Sequence, residues 1–157
     1  MHQAPFHDAL RGLAAAGFRA SLDAVLGDAR QLSAVVDEIA APNLGIAYDV
    51  ANTIGQEGPL DGVRTAGHRI RIAHMSDTWR GLWAHTSPGR GEVDFARCAE
   101  VLRSIGFGGV TVFELIDLEP PLPRLHDDLA TFEKRLERRA IGHGALAPVQ
   151  YVARGSQ

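Results

Sequence analysis

Hydrophobic residues recur at the three- and four-residue intervals of amphipathic helices in four segments of this chain. The sets are Phe6, Leu10, Leu13 and Ala14; Leu32, Val35, Val36 and Ile39; Cys98, Val101, Leu102 and Ile105; and Leu125, Leu129, Phe132 and Leu136. Residues at these intervals share one face of an α-helix, so each segment is predicted to be a helix that packs that face on a core.

The residues that flank these segments fit helix ends. Asp28 and Asp94 are predicted N-caps, because a short acceptor side chain there can bond the first unpaired backbone N–H groups of a helix. Gly17 and Gly106 stand where a helix would end in a left-handed residue, and Pro42 follows the second helix.

Short apolar runs between the helices, each bounded by Gly, Asn or Pro, are predicted strands at 18–25, 44–48, 70–73 and 110–115. Strands that alternate with helices of ten or more residues indicate parallel pairing through right-handed crossovers. The apolar-poor stretch between the second and third strands predicts a loop with one short helix at 60–66. Residues 1–142 are interpreted as one domain, and 143–157, where the pattern ends, as a C-terminal tail of the kind in which disorder concentrates.

Composition narrows the possible functions. The 157 residues are 45% hydrophobic and 22% charged, as in soluble globular proteins, and a formal net charge of -3 gives no general attraction to nucleic acid or anionic membranes. Because no run approaches a membrane span and the first residues lack a secretory pattern, we expect a cytoplasmic protein with neither a nucleic-acid nor a membrane partner. The single cysteine, Cys98, excludes an internal disulfide and a cysteine cluster for metal, and is a predicted core residue.

Side chains that can bind metals stand at the ends of three predicted strands. Asp49, His74 and Glu114 would meet at one face of a parallel barrel, where strand ends carry the catalytic groups. Two carboxylates and an imidazole suit Mn²⁺, Mg²⁺ or Co²⁺ rather than structural zinc. Asp49 could instead cap a turn and His74 could be a core histidine, but a carboxylate such as Glu114 inside an apolar run is costly to bury without a cation.

Four parallel strands cannot close a barrel, and an open sheet leaves two strand edges exposed. We expect these edges to be covered by a second copy of the chain in a homodimer or by a separately encoded N-terminal half-barrel. A truncated product is the remaining interpretation.

Three longer motifs surround the strand ends. Pro-Asn-Leu-Gly at 42–45 leads to Asp49; His-Met-Ser-Asp at 74–77 leads to His85 and to Pro-Gly-Arg-Gly-Glu at 88–92; Gly-Phe-Gly-Gly at 106–109 leads to Glu114. Together, over about 6–139, they resemble the C-terminal half of the xylose-isomerase-like barrels, a superfamily of sugar-phosphate isomerases and epimerases that also contains the apurinic-site endonucleases. The resemblance implies an α/β fold: a partial (β/α)8 TIM barrel whose four strands are strands five to eight, with the helices outside.

The same resemblance implies a set of site residues. The metal ligands would be Asp23, Asp49, His74 and Glu114, with Asp23 one methylene shorter than the family's glutamate. Asp23 and Glu114 would also form the acid–base pair of an aldose–ketose isomerisation or an epimerisation next to a carbonyl, through an enediolate that the metal stabilises.

Further residues are implied around that centre. Asn52, where the family has His, is an implied substrate-binding residue together with Arg80 and His85, although Arg80 could be a solvated loop residue and His85 a loop cap. Asp77 is implied to orient a ligand or to accept loop hydrogen bonds. The expected partner is a small sugar or sugar phosphate in carbohydrate metabolism.

Two other functions stay open. The chain could be a catalytically inactive or split half-barrel that acts as a subunit or binding module. An apurinic-site endonuclease-like phosphodiesterase fits less well, because Asn52 and Trp83 stand where two of that branch's metal ligands would be.

Overall fold

Strands and helices alternate along the chain in the computed structural model, which describes residues 4–17, 19–23, 28–55, 57–116, 127, 130 and 149–153. The strands are β1 (Ala20–Asp23), β2 (Leu44–Asp49), β3 (Ile70–Met75), β4 (Asp77–Trp79), β5 (Leu82–Thr86), β6 (Val110–Leu115) and β7 (Val149–Ala153). The helices are α1 (Ala4–Ala15), α2 (Ala29–Ile39), α3 (Val50–Thr53), α4 (Pro59–Ala66) and α5 (Phe95–Ser104), with a 3-10 turn at Gly67–Arg69.

Within the described residues, the main sheet has five parallel strands in the order β1-β2-β3-β6-β7. Each strand pairs with the next main-sheet strand along the chain, as Asp49 opposite His74 and Ile72 opposite Val110 illustrate. The α/β class and the partial-barrel arrangement of four predicted parallel strands are confirmed, and the short helix predicted at 60–66 is α4.

Three features differ from the sequence pattern. The antiparallel hairpin of β4 and β5 was not predicted, and it interrupts the path from β3 to α5. Strand β7 lies inside the segment predicted as a tail, where it pairs with β6. The helix predicted from Leu125 to Leu136 falls outside the described residues, apart from the helical positions 127 and 130.

The predicted helix caps are present. Asp28 accepts from the Gln31 N–H at 2.8 Å while the Gln31 side chain accepts from the Asp28 N–H at 3.2 Å, which forms a capping box for α2. Asp94 accepts from the Arg97 N–H at 3.0 Å at the start of α5. Gly17 and Gly106 have φ of 83° and 71°, the left-handed values expected at these helix ends.

The core lies between the sheet and its helices. Ile46, Tyr48 and Phe113 on the strands are fully buried against helix residues such as Leu102. Burial raises the pKa of Tyr48 above its ordinary value, and its hydroxyl donates to the Pro59 carbonyl at 3.0 Å. Cys98 is a core residue, as predicted, and burial raises its thiol pKa to about 12, which leaves it protonated at neutral pH. In the described part of the chain, no helix combines the length and apolarity needed to cross a bilayer.

A bidentate ion pair joins α2 to the turn before β3. Arg69 Nε and Nη2 donate to the two carboxylate oxygens of Asp37 at 2.7 and 2.6 Å. These hydrogen bonds hold the pKa of Asp37 below its usual value of 3.8. A lowered pKa means that the pair stabilises the fold at neutral pH and loses this effect as the pH falls through the folded-state pKa.

We expect Asp37→Asn to lower the melting temperature slightly at pH 7 and to have no effect once the pH is below the lowered folded-state pKa of Asp37, where the wild-type carboxyl is protonated too. Thermal melts across that pH range check this. Asp8→Asn, which removes the single-bond pair with Arg11 on α1, is the matched control. An Asp37→Asn deficit that persists at the lowest pH would contradict the ion-pair explanation.

Candidate functional site

Three predicted ligands lie together at the carboxyl-terminal edge of the main sheet. Asp49 ends β2 and is opposite His74 on β3, and Glu114 lies two residues beyond Val112, the β6 partner of His74. Residues two apart on a strand share a face, so His74 and Glu114 meet across the β3–β6 pair. Asp23 ends β1 at the same edge, but its side chain is outside the described part of the structure.

The two oxygens of Asp49 have different contacts. Oδ1 accepts from the Ala51 and Asn52 N–H groups at 2.8 and 3.1 Å and so caps the short helix α3. Oδ2 lies 3.9 Å from His74 Nδ1 and 3.7 Å from His85 Nδ1. The fully buried carboxylate therefore serves as a turn cap through one oxygen and faces two imidazoles through the other. Asp49 can therefore cap the turn with one oxygen and bind a metal ion with the other.

His74 and Glu114 form a close pair. His74 Nδ1 is 2.8 Å from Glu114 Oε2, and their side chains are 14% and 15% exposed. A ligand could therefore reach both groups, whereas Asp49 lies beneath them at 0% exposure.

His85 reaches the same centre from the hairpin, although the sequence had indicated a substrate-binding residue or a loop cap. Its Nδ1 is 2.9 Å from Ser76 Oγ, and its carbonyl accepts from the Ile116 N–H at 3.0 Å. One ligand atom from each of Asp49, His85 and Glu114 lies within 4.8 Å of the others, a group that could hold a metal ion. The carboxylate and imidazole donors suit the divalent metals expected from the sequence.

Asp77 holds the loop that follows the hairpin. Its Oδ1 accepts from the Thr78 and Val93 N–H groups at 3.0 Å each, and its Oδ2 accepts from the Gly89 N–H at 2.7 Å. Thr86 Oγ1 also donates to the Asp77 carbonyl at 3.1 Å. Of the two roles implied for Asp77, these contacts correspond to the acceptor of loop hydrogen bonds.

Gly91 permits that loop to lie against β4. A Cβ atom at Gly91 would collide with the Thr78 carbonyl and with Asp77 Oδ1. The adjacent Glu92 N–H donates to the Thr78 carbonyl at 2.8 Å, so the loop backbone packs directly on the strand.

Asp77→Asn should lower the free energy of unfolding by about 1–3 kcal/mol, because an amide NH₂ would face an N–H donor that now bonds a buried carboxylate oxygen. Denaturant titration measures this. Asp61→Asn is the control, since Asp61 is exposed and bonds only the neighbouring Arg64 side chain among the described contacts. Equal stability of the two variants would show that Asp77 does not anchor the loop.

The remaining predicted residues lie around the centre. Asn52 is half-buried on α3, next to Asp49, and Arg80 is exposed in the turn between β4 and β5. Their roles in substrate binding stay predictions. Ser76 was missed by sequence reasoning, although it stands inside the His-Met-Ser-Asp motif, because a serine hydroxyl alone is not a recognisable signal.

A cavity of about 670 Å³ lies at the opposite, amino-terminal end of the strands, and its described lining contains none of the predicted site residues. The lining residues that the structure describes include Pro42, Ile70, Phe107 and Val110, and none of them is a carboxylate. The candidate centre is therefore identified by its carboxylate and imidazole groups rather than by the size of a cavity.

Comparison with known proteins gives a consistent result. Residues 12–135 match the model of the xylose isomerase-like TIM barrel family. A ketose 3-epimerase of Arthrobacter globiformis is 32% identical over 91 residues, which cover 57% of this chain and 30% of that protein. An L-ribulose 3-epimerase of Methylomonas sp. (strain DH-1) is 30% identical over 100 residues, which cover 63% of this chain and 33% of that protein.

A solved structure extends the likeness to the fold. A xylose isomerase domain protein from Planctomyces limnophilus superposes with a TM-score of 0.64 at 24% identity, covering 86% of this chain and 49% of that one. The chain thus spans about half the length of this solved protein, and its matches span about a third of the two curated relatives.

Proposed function

This chain belongs to the xylose isomerase-like TIM barrel family, and from that premise we propose that it forms the metal-binding half of a sugar or sugar-phosphate isomerase or epimerase. The observation that carries the proposal is the cluster of Asp49, His85 and Glu114 at the strand ends, with His74 in contact with Glu114. The similarity to two 3-epimerases favours epimerisation of a ketose at the carbon next to its carbonyl.

The residues fit a divalent ion. Asp49, Glu114 and an imidazole from His74 or His85 would hold it, and Asp23 would complete the set from β1. The ion, when bound, supplies Lewis-acid polarisation of a carbonyl and its neighbouring hydroxyl. Mn²⁺, Mg²⁺ and Co²⁺ all suit these ligands.

Proton transfer would fall to the carboxylates. Glu114 takes the proton from the carbon next to the carbonyl, and Asp23 returns a proton to the other side of that carbon, which inverts it. His74, with Nδ1 at 2.8 Å from Glu114 Oε2, would help to orient the Glu114 carboxylate. Arg80 and Asn52 would contact the sugar hydroxyls, whereas the buried His85 ring would face the ion rather than the sugar.

Assembly is part of the proposal. Strands β1 and β7 are the two edges of the main sheet, and parallel edges of this kind need cover. A second copy of the chain or a complementary half-barrel would provide it and would supply the other half of the sugar pocket. The cytoplasmic location expected from the sequence stays a prediction.

Two measurements test the function. NMR of ketopentoses and ketohexoses in D₂O with Mn²⁺ should show deuterium entering at C3 as the epimer appears. Calorimetric titration should show weak Mn²⁺ binding that Asp23→Glu strengthens, because the longer side chain restores the family's reach. If neither the wild type nor Asp23→Glu gives heat of binding at millimolar Mn²⁺, the interpretation as an inactive binding module replaces the interpretation as an enzyme. Incision of abasic DNA without any epimerisation would favour the endonuclease alternative.

A further inference from the structure

The geometry points to Ser76 as the positioning residue of His85. In this arrangement the Ser76 hydroxyl oxygen accepts a hydrogen bond from the Nδ1–H group of the imidazole. The lone pair of the neutral ring is then on Nε2. A fixed ring and a fixed tautomer are what a metal-ligating histidine requires. The consequence for metal binding rests on the function proposed above, whereas the tautomer does not.

The position of Ser76 supports this role. It is completely buried in the single-residue link between β3 and β4, and His85 is 3% exposed on β5. Ser76 Oγ and His85 Nδ1 are 2.9 Å apart, an ordinary hydrogen-bond distance. Both partners are removed from bulk water, so the bond competes with little solvent.

The backbone of His85 is held as well. Its carbonyl accepts from the N–H of Ile116, two residues beyond Glu114, at 3.0 Å. Ser76 itself is two residues beyond His74 on the neighbouring strand. The ring and the main chain of His85 are therefore attached to the ends of β3 and β6, the two strands that carry His74 and Glu114.

The direction of the hydrogen bond follows from electrostatics. Asp49 Oδ2 lies 3.7 Å from His85 Nδ1, too far for a hydrogen bond but close enough for a carboxylate to attract a proton on that nitrogen. A serine hydroxyl can accept as readily as it donates. The carboxylate thus favours Nδ1–H, and the Ser76 oxygen provides its acceptor.

Imidazole ¹⁵N NMR of the metal-free full chain tests the tautomer directly. With His85→Gln used to assign the signals, the wild type should show the Nδ1–H form. Ser76→Ala should show a mixture of both tautomers, because Asp49 Oδ2 attracts the Nδ1 proton but lies too far away to accept a hydrogen bond from it. An Nε2–H form in the wild type, or an unchanged Nδ1–H pattern in Ser76→Ala, would overturn the inference. Should Ser76→Ala fail to fold, Ser76→Cys keeps the side-chain shape with a much weaker acceptor and should show the same mixture.

Mn²⁺ calorimetry tests the consequence. Ser76→Ala should bind about 10-fold more weakly than the wild type, as expected for loss of a group that orients a ligand. Ser33→Ala removes another buried hydroxyl, on α2, and should bind as the wild type does. Equal losses in both variants would mean a general structural effect and would overturn the positioning role. If the wild type takes up no Mn²⁺, the proposed function fails, and the tautomer comparison still decides the role of Ser76.

Discussion

Glu114→Gln is expected to abolish measurable Mn²⁺ binding and any ketose epimerisation. The substitution keeps the shape of the side chain but removes its negative charge and its capacity to take a proton. Glu114 also lies 2.8 Å from His74 Nδ1 and within the Asp49–His85 cluster, so one substitution affects every group of the candidate centre. We expect a loss of Mn²⁺ affinity of at least about 100-fold, the upper end of effects seen for residues that merely orient a ligand.

Calorimetry and the C3 deuterium-exchange assay measure the two losses separately. Glu100→Gln is the matched control, because Glu100 lies on α5 and forms an ion pair with Arg97. It should retain wild-type affinity for Mn²⁺. Retained Mn²⁺ binding in Glu114→Gln would remove Glu114 from the ligand set, and retained deuterium exchange would remove it from the acid–base pair.

Gly91→Ala is expected to destabilise the protein by about 3 kcal/mol, at the high end for an added methyl group in a packed region. The new Cβ atom would meet the Thr78 carbonyl and Asp77 Oδ1, and the first of these is backbone that cannot rotate away. The loop would have to leave β4, which would break the Glu92–Thr78 hydrogen bond and the contacts of Asp77. For a chain of this size the melting temperature should fall by roughly 10 °C.

The same substitution should weaken Mn²⁺ binding, because the displaced loop is bonded to the hairpin that carries His85. Gly108→Ala is the control: a Cβ atom there would meet nothing within 4 Å, so its melting temperature should stay close to that of the wild type. Thermal melts and calorimetry on both variants check this. Wild-type stability of Gly91→Ala would show that the loop is not packed on β4.

The sequence by itself determined the elements whose signals are local. Periodicity of apolar residues predicted α1, α2 and α5, and the caps at Asp28 and Asp94 need only the following turn of the same helix. The strand-end positions of Asp49, His74 and Glu114 also followed from sequence, because parallel strands place their carboxyl ends at one edge. Registers of these strands match that expectation.

The hairpin depended on weaker signals. Strands β4 and β5 have three and five residues, too few for a period to be recognised. The signal that could have found them is the two-residue turn, in which Gly81 has a φ of 84° between Trp79 and Leu82.

Only the tertiary structure decided how the hairpin completes the site. His85 is 36 positions from Asp49 in sequence, yet its Nδ1 lies 3.7 Å from Asp49 Oδ2. The tertiary structure also brought Asp49 Oδ2 within 3.9 Å of His74 Nδ1 and gave Asp77 two loop N–H groups, those of Gly89 and Val93. The physical reason is that periodicity records which face of an element is apolar, whereas these contacts join polar groups on different elements, and their partners exist only after the sheet, hairpin and loop have packed.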